Sequence, residues 1–229
     1  MAKNDERPYG LKNAVQGQAP FAVVEAYKAI RTNVLYALAQ NKGKIVTVSS
    51  SLPGEGKSTC AVNLSAAFSQ LGSRVLLIDA DLRKPTVNKK LKINNSSGLS
   101  SVLVGFCAFK DAVQHINQYF DVLASGPIPP NPAELLGSNN MRGLLDSLYN
   151  DYDYIILDTP PINVVTDAIL ISHKSSGLIL VVKSDSTTHE EFEKAVESIE
   201  FSDVKLLGVV INGGKKYSGK YEKYKRYQS

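Results

Sequence analysis

The chain has 229 residues, of which 43% are hydrophobic, so it can bury one sizeable core and is predicted to form one domain. Its net charge is +4, but residues 215–229 hold six basic residues and one acid, which leaves 20 basic and 21 acidic residues in the rest. The body is therefore not a basic, nucleic-acid-binding surface; only residues 215–229 could be one, and no nucleic-acid partner is expected. No apolar run approaches the roughly 20 residues that cross a bilayer.

The composition also favours the cytoplasm. The N-terminal residues lack the apolar region of a signal peptide. Cys60 and Cys107 offer no disulfide or metal framework, which suits a reducing compartment. We expect both to be small buried residues.

The chain opens on a polar stretch, residues 1–20, that is predicted to be a flexible arm. A helix is predicted from Phe21 to about Gln40, because apolar residues recur there at helical spacing. Glu25, Lys28 and Arg31 lie away from the centre of its apolar stripe. One interpretation of these charges is a solvated helix face with an i,i+3 salt bridge.

The stretch 44–59 reads strand, glycine loop, helix, which is the context of a phosphate-binding P-loop. Glycines let the backbone approach a phosphate and point its N–H groups inward, and the following helix adds its positive end. Lys57 is predicted to reach the outer phosphates, and the Ser58 hydroxyl to bind Mg²⁺. Ser51 replaces the first glycine of the pattern GxxxxGK[ST], and a glycine-rich turn without a ligand is the alternative. The predicted nucleotide-binding residues here are Pro53, Gly54, Glu55, Gly56, Lys57, Ser58 and Thr59.

Carboxylates follow two further buried-strand patterns. The run 75–78 stops at Asp79, with Asp81 and Arg83 close behind, and the run 154–157 stops at Asp158. In a parallel sheet these positions fall on the ligand-binding edge. Asp158 is predicted to hold Mg²⁺ directly or through water, with Asp81 close to the metal and Arg83 facing the phosphates. Ordinary turn chemistry is the alternative for each aspartate taken alone.

The remaining patterns alternate between strand and helix, which predicts an α/β fold with a doubly wound, mainly parallel sheet. Asn131, Pro132 and Glu134 predict an N-cap and capping box for a helix that runs to about Tyr149. Further predictions are short helices in the stretch 82–104, strands near 119–124, 178–182 and 206–211, and helices near 57–71, 166–173 and 189–201.

After the last strand come Asn212 and a tail of tyrosines among lysines. The stretch 215–229 has no apolar periodicity and is predicted to be flexible. Its tyrosines are Tyr217, Tyr221, Tyr224 and Tyr227. Binding of this basic, aromatic segment to nucleic acid or an anionic membrane is the competing hypothesis.

Taken together, these residues resemble the bacterial tyrosine kinases, in the stand-alone form found beside capsule and exopolysaccharide genes of Gram-positive bacteria. The resemblance rests on the P-loop from Ser51 to Ser58, on LLIDADLR at 76–83, IILDTPP at 155–161 and GPIPPNPAELL at 126–136, and on the tyrosine-rich C-terminus. It covers the chain from about Glu25 to the tail. The fold it implies is a P-loop NTPase of the MinD/ParA-like type, over residues 21–214.

The resemblance implies an ATP- and Mg²⁺-dependent protein-tyrosine kinase that phosphorylates its own tail tyrosines. The implied transfer is between neighbouring subunits of a ring. Glu25, Lys28 and Arg31 match a Glu-x-x-Arg-x-x-Arg motif that contacts that neighbour, with Lys28 in place of an arginine. The implied partners are the cytoplasmic end of a membrane-spanning activator, which recruits the kinase to the inner face of the membrane, and a tyrosine phosphatase.

The resemblance also assigns roles in the site. Asp79 is predicted to accept the tyrosine proton, with Asp81 as the alternative, beside Lys57, Arg83 and Asp158. Asn212 matches an asparagine that contacts adenine in related ATPases, although it also suits an ordinary turn. The alternative function is a partitioning ATPase of the MinD/ParA type. Those ATPases carry an extra lysine where this chain has Leu52.

Overall fold

A computed structural model describes residues 20–39 and 43–214 of the chain. The strands are β1 (Ile45–Ser50), β2 (Val75–Asp79), β3 (Val113–Asn117), β4 (Phe120–Leu123), β5 (Tyr154–Asp158), β6 (Leu178–Lys183) and β7 (Leu206–Asn212). The helices are α1 (Phe21–Ala39), α2 (Lys57–Ser69), α3 (Val87–Leu91), α4 (Leu99–Leu103), α5 (Phe109–Ala112), α6 (Pro132–Gly137), α7 (Asn139–Leu148), α8 (Asp167–Ser172) and α9 (His189–Phe201). The predicted segments of helix and strand are thus largely confirmed.

The strands form one sheet in the order β3-β4-β2-β5-β1-β6-β7. All neighbouring pairs are parallel except β3 with β4. The register sets Asp79 beside Asp158 and Val48 beside Asp158. The carboxyl ends of β1, β2 and β5 therefore meet at one edge, in the middle of the sheet.

Both faces of the sheet are covered, as a doubly wound fold requires. On β2, Val75 and Leu77 belong to the core that contains residues of α1 and α2. The alternate residues Leu76 and Ile78 belong to a second core that contains residues of α4, α7 and α8. All four of these side chains are fully buried, which explains why β2 reads as a continuous apolar run.

The helix predicted over residues 131–149 is instead two helices, α6 and α7. The break lies at Ser138, whose extended backbone ends α6 and whose hydroxyl accepts a hydrogen bond from Met141 N to cap α7. Asn131 occupies the N-cap position and Pro132 the first turn of α6, as predicted. The predicted capping box is wrong, because the Asn131 side chain makes no capping hydrogen bond and its Nδ2 donates to Glu134 Oε2 at 2.7 Å. A serine is a strong N-cap, and this one starts a new helix.

Two smaller features differ from prediction. The antiparallel edge strand β3 and the short helix α5 were not predicted, since β3 is half-exposed and carries no long apolar run. Cys60 is buried as expected, but Cys107 is partly exposed.

Candidate active site

The P-loop joins β1 to α2 and depends on its glycines. Gly54 and Gly56 have φ values of 85° and 100°, in the left-handed region that favours glycine. A Cβ atom at Gly56 would also collide with the side-chain amide of Asn212. Pro53 and Gly54 are exposed at the tip of the loop, whereas Lys57 and Ser58 are buried at the start of α2.

Side-chain hydrogen bonds stabilise the P-loop. The Glu55 carboxylate accepts hydrogen bonds from Leu52 N, at 2.8 Å, and from the Thr187 hydroxyl. Asn212 Nδ2 donates to the carbonyl oxygen of Glu55 at 2.9 Å. Glu55 and Asn212 were predicted as nucleotide contacts, and here their side chains hold the shape of the P-loop. The loop is therefore fixed to the ends of β6 and β7.

Lys57 is the centre of an ionic cluster. Its Nζ lies 2.8 Å from Asp81 Oδ2 and 3.4 Å from Asp158 Oδ1, and it donates to Ser58 Oγ at 3.2 Å. Burial favours the neutral amine, but the carboxylates of Asp158 and Asp81 outweigh it and raise the pKa of Lys57. Lys57 is thus a charged side chain at the N-terminal end of α2.

Asp79 has both carboxylate oxygens occupied by backbone donors. Oδ1 accepts from Asp81 N at 3.3 Å, and Oδ2 accepts from Thr86 N at 3.2 Å and Val87 N at 3.1 Å. Burial, followed by the charge of Asp158, raises the pKa of Asp79 to about 8. Asp79 therefore shapes the loop that leads to α3, and its pKa lies well above that of an ordinary aspartate.

The site contains three buried carboxyl groups, those of Asp79, Asp81 and Asp158, and one buried lysine, Lys57. Asp158 Oδ2 is buried and has no hydrogen-bond partner, and burial raises the pKa of Asp158. In residues 20–39 and 43–214, no group of three or more His, Cys, Asp or Glu side chains could hold a metal ion by itself. Magnesium commonly takes one or two carboxylates plus phosphate oxygens and water, so Ser58 and Asp158 fit that mode.

Arg83 was predicted to face the phosphates, and the structure places it against α8. Its Nε lies 2.8 Å from Asp167 Oδ2, and its Nη2 lies 3.0 Å from Asp167 Oδ1. Asp167 is fully buried, whereas the Arg83 side chain is 42% exposed. This two-pronged pair ties the loop after β2 to the segment after β5.

The charged residues of α1 make contacts within the chain. Lys28 Nζ lies 2.8 Å from Glu25 Oε1, which is the i,i+3 pair that the sequence offered as one interpretation. Arg31 Nη1 donates to the carbonyl oxygen of Ala67, on α2, at 2.7 Å. Glu25 and Lys28 remain accessible at the surface, with side chains 34% and 45% exposed.

Sequence reasoning missed two side chains of the site, Lys90 and Asp167. Lys90 Nζ donates to Thr59 Oγ1 at 2.8 Å, which joins α3 to the P-loop helix. Lys90 lies 31 residues from Thr59, in a stretch without clear periodicity. The four predicted acceptor tyrosines, Tyr217, Tyr221, Tyr224 and Tyr227, lie outside the described residues, as does the predicted arm apart from Pro20.

A P-loop at the carboxyl edge of a doubly wound sheet, with aspartates at the ends of two adjoining strands, is the fold of P-loop NTPases of the MinD/ParA-like type. MinD from Pyrococcus horikoshii, solved with Mg-ADP, shares this fold at a TM-score of 0.62 and 23% identity, over 76% of this chain and 72% of that one. The profile of a family described as an AAA domain matches residues 43–205.

Proteins with higher sequence identity to this chain show which family it belongs to. YwqD of Bacillus subtilis (strain 168), a tyrosine-protein kinase, is 47% identical over 192 residues, which is 83% of this chain and 81% of YwqD. The kinase domain of the Escherichia coli tyrosine kinase ETK matches with a TM-score of 0.85 and 32% identity, over 95% of this chain and 86% of that chain. The chimerical protein CapA2B2 matches with a TM-score of 0.83 and 39% identity, over 90% of each chain. The chain therefore belongs to the family of bacterial tyrosine-protein kinases.

Among residues 20–39 and 43–214, none of the helices combines the length and the apolar character needed to span a membrane.

Proposed function

We propose that this chain is an ATP-dependent protein-tyrosine kinase that uses Mg²⁺ and phosphorylates tyrosines of its own C-terminal segment. The observation that carries the proposal is the cluster of Lys57, Asp81 and Asp158 at the P-loop, in a chain of this family. The proposed domain is residues 21–214, with a preceding arm and a following substrate segment.

The cluster supplies the positioning and charge neutralisation on which phosphoryl transfer depends. The P-loop N–H groups and Lys57 would bind the phosphates of ATP, and Ser58, Asp81 and Asp158 would hold Mg²⁺ directly or through water. The bound Mg²⁺ would neutralise charge on the phosphate oxygens. In the transfer, the tyrosine oxygen bonds to the γ-phosphorus as the bond to ADP breaks.

The proton of the tyrosine hydroxyl must pass to a base. Asp79 is the proposed acceptor, because its raised pKa, about 8, makes its ionised carboxylate a stronger base than that of an ordinary aspartate. Asp81 is the alternative, since it is buried beside Lys57 but retains slight exposure. Asn212 is proposed to contact adenine from the edge of the sheet, next to the P-loop that it braces.

The acceptors are proposed to be Tyr217, Tyr221, Tyr224 and Tyr227. The tail leaves the sheet after Asn212, which is hydrogen-bonded to the P-loop, so it starts beside the site. The 15 residues from 213 to 227 can stretch to roughly 50 Å. That length allows entry into the site of a neighbouring subunit in a ring, whose contact would include Glu25, Lys28 and Arg31.

We further propose a role in capsular or exopolysaccharide synthesis, in the cytoplasm at the inner face of the membrane. The activator would be the cytoplasmic end of a membrane-spanning polysaccharide co-polymerase, and a tyrosine phosphatase would reverse the modification. The similarity to CapA2B2, a chimera, supports a partner of this kind.

Transfer between subunits can be tested with two variants, neither of which can phosphorylate its own tail. The acceptor is a Lys57→Met chain, and the donor is an active chain that ends at Gly214. After mixing with Mg·ATP, phosphotyrosine is expected on the tail of the Lys57→Met chain, and none when that chain is incubated alone. Absence of phosphotyrosine in the mixture, while the full-length chain labels itself, would exclude transfer between subunits.

A further inference from the structure

The short helix α3 carries Lys90, whose amine contacts the N-terminal end of α2, where phosphate is proposed to bind. Lys90 Nζ donates to Thr59 Oγ1 at 2.8 Å, and Thr59 follows Lys57 and Ser58 in the first turn of α2. Backbone N–H groups in this turn have no partner within the helix, which is why phosphates bind there. The amine of Lys90 therefore lies at the edge of the predicted phosphate site.

Lys90 is a partly buried cation that donates to a neutral hydroxyl. In the described ranges 20–39 and 43–214, no carboxylate forms a salt bridge with its Nζ, although the side chain is only partly exposed. Burial lowers the pKa of Lys90, while the charge of Asp158 raises it and that of Lys57 lowers it. A partly buried ammonium group whose partner is one neutral hydroxyl is stabilised when an anion reaches it.

The position of Lys90 is fixed by the site itself. The loop that enters α3 donates Thr86 N and Val87 N to the carboxylate of Asp79, and the Val87 side chain is fully buried. Lys90 follows one turn later. The adjacent Lys89, by contrast, is exposed. The placement of Lys90 is thus set by the same aspartate that ends β2.

We propose that Lys90 is a second phosphate-binding lysine, which contacts the inner phosphates of the nucleotide while Lys57 serves the outer ones. In a P-loop, backbone groups hold the α- and β-phosphates, and the lysine reaches the β- and γ-phosphates. Lys90 contacts Thr59, which lies further into α2 than Lys57 does, so its amine is on the side of the inner phosphates. The inference rests on the proposed function, because it takes the ligand to be a nucleotide.

The test compares Lys90→Gln with the matched control Lys89→Gln. Glutamine at position 90 keeps a donor for Thr59 but loses the charge, so the two roles of the side chain are separated. Affinities for Mg·ADP and Mg·ATP are measured by competition against a fluorescent ADP analogue at low and high salt. A lost charge-assisted hydrogen bond predicts about tenfold weaker binding of both nucleotides in Lys90→Gln.

Three further comparisons test whether the charge of Lys90 causes the weaker binding. The weakening should shrink at high salt, it should be partly restored in Lys90→Arg, and it should be absent in Lys89→Gln. Melting curves of the nucleotide-free variants check that each is folded, and Lys90→Met replaces Lys90→Gln if the latter is unstable. Wild-type affinity in Lys90→Gln, or equal weakening in Lys89→Gln, overturns the inference. These outcomes are separate from the kinase proposal, because they use ADP binding and require no phosphate transfer.

Discussion

Replacing Arg83 with alanine separates a structural role from a catalytic one. The guanidinium meets the Asp167 carboxylate with two hydrogen bonds, of 2.8 Å and 3.0 Å, and Asp167 is fully buried. Removing one partner of a buried ion pair costs about 3–5 kcal/mol. Because the Arg83 side chain is 42% exposed, solvent screens part of the interaction, and we expect a loss of about 2 kcal/mol.

The loss is measured by denaturant unfolding of the nucleotide-free chain. For a chain of this size, 2 kcal/mol corresponds to a fall of roughly 4–8 °C in melting temperature. Arg83→Lys keeps the charge but not the two-pronged geometry, so its loss should be intermediate. The control is Arg74→Ala, since Arg74 and Asp153 are 3.9 Å apart and both exposed, and a change of under about 0.5 kcal/mol is expected.

The double variant Arg83→Ala with Asp167→Asn tests the pairing directly. It should recover part of the stability lost in Arg83→Ala, because the unpaired buried charge is gone. If Arg83→Ala has wild-type stability and yet transfers no phosphate, the structural reasoning is refuted, and Arg83 is the phosphate ligand that the sequence predicted.

Three other predictions concern the same part of the molecule. The pKa of Asp79, raised from 3.8 to about 8, means that the folded chain holds a proton that the unfolded chain releases, so the melting temperature of the nucleotide-free chain should fall between about pH 4 and pH 8. Asp79→Asn should flatten that slope, and an unchanged slope would show that other groups cause it. Gly56→Ala should abolish nucleotide binding, because its φ of 100° is strained and its Cβ meets Asn212; calorimetric titration with ADP checks this, and wild-type affinity would contradict it. Alanine at positions 25, 28 and 31 together should shift any oligomer to monomer by light scattering, with Arg31→Ala alone as the control for its bond to Ala67; an unchanged mass would mean that these charges form a solvated face.

The sheet and the aspartate cluster could be predicted because their signals are local in sequence. The apolar runs of β2 and β5 stop at Asp79 and Asp158, and parallel pairing alone brings such strand ends together. The P-loop is likewise read from consecutive residues around Lys57. These features require no knowledge of how distant segments pack.

The contacts that were missed depend on tertiary packing. Arg83 and Asp167 are 84 residues apart. Thr187 and Glu55 are 132 residues apart. No spacing rule connects such pairs, so the sequence does not show that Arg83 pairs with Asp167 or that Glu55 accepts a hydrogen bond from Thr187. The break at Ser138 had a local signal, because serine is a strong N-cap residue. The helical pattern on both sides of Ser138 nevertheless predicted one continuous helix.

The most direct test of the account is phosphotyrosine mapping of the full chain after long incubation with Mg·ATP at high protein concentration. The kinase account predicts phosphate on tyrosines among positions 217–227 of the wild-type chain and none in Lys57→Met, whose melting curve should show that it is folded. Release of ADP and inorganic phosphate by the wild-type chain with no phosphotyrosine would contradict the account and would favour a nucleotide-switch ATPase.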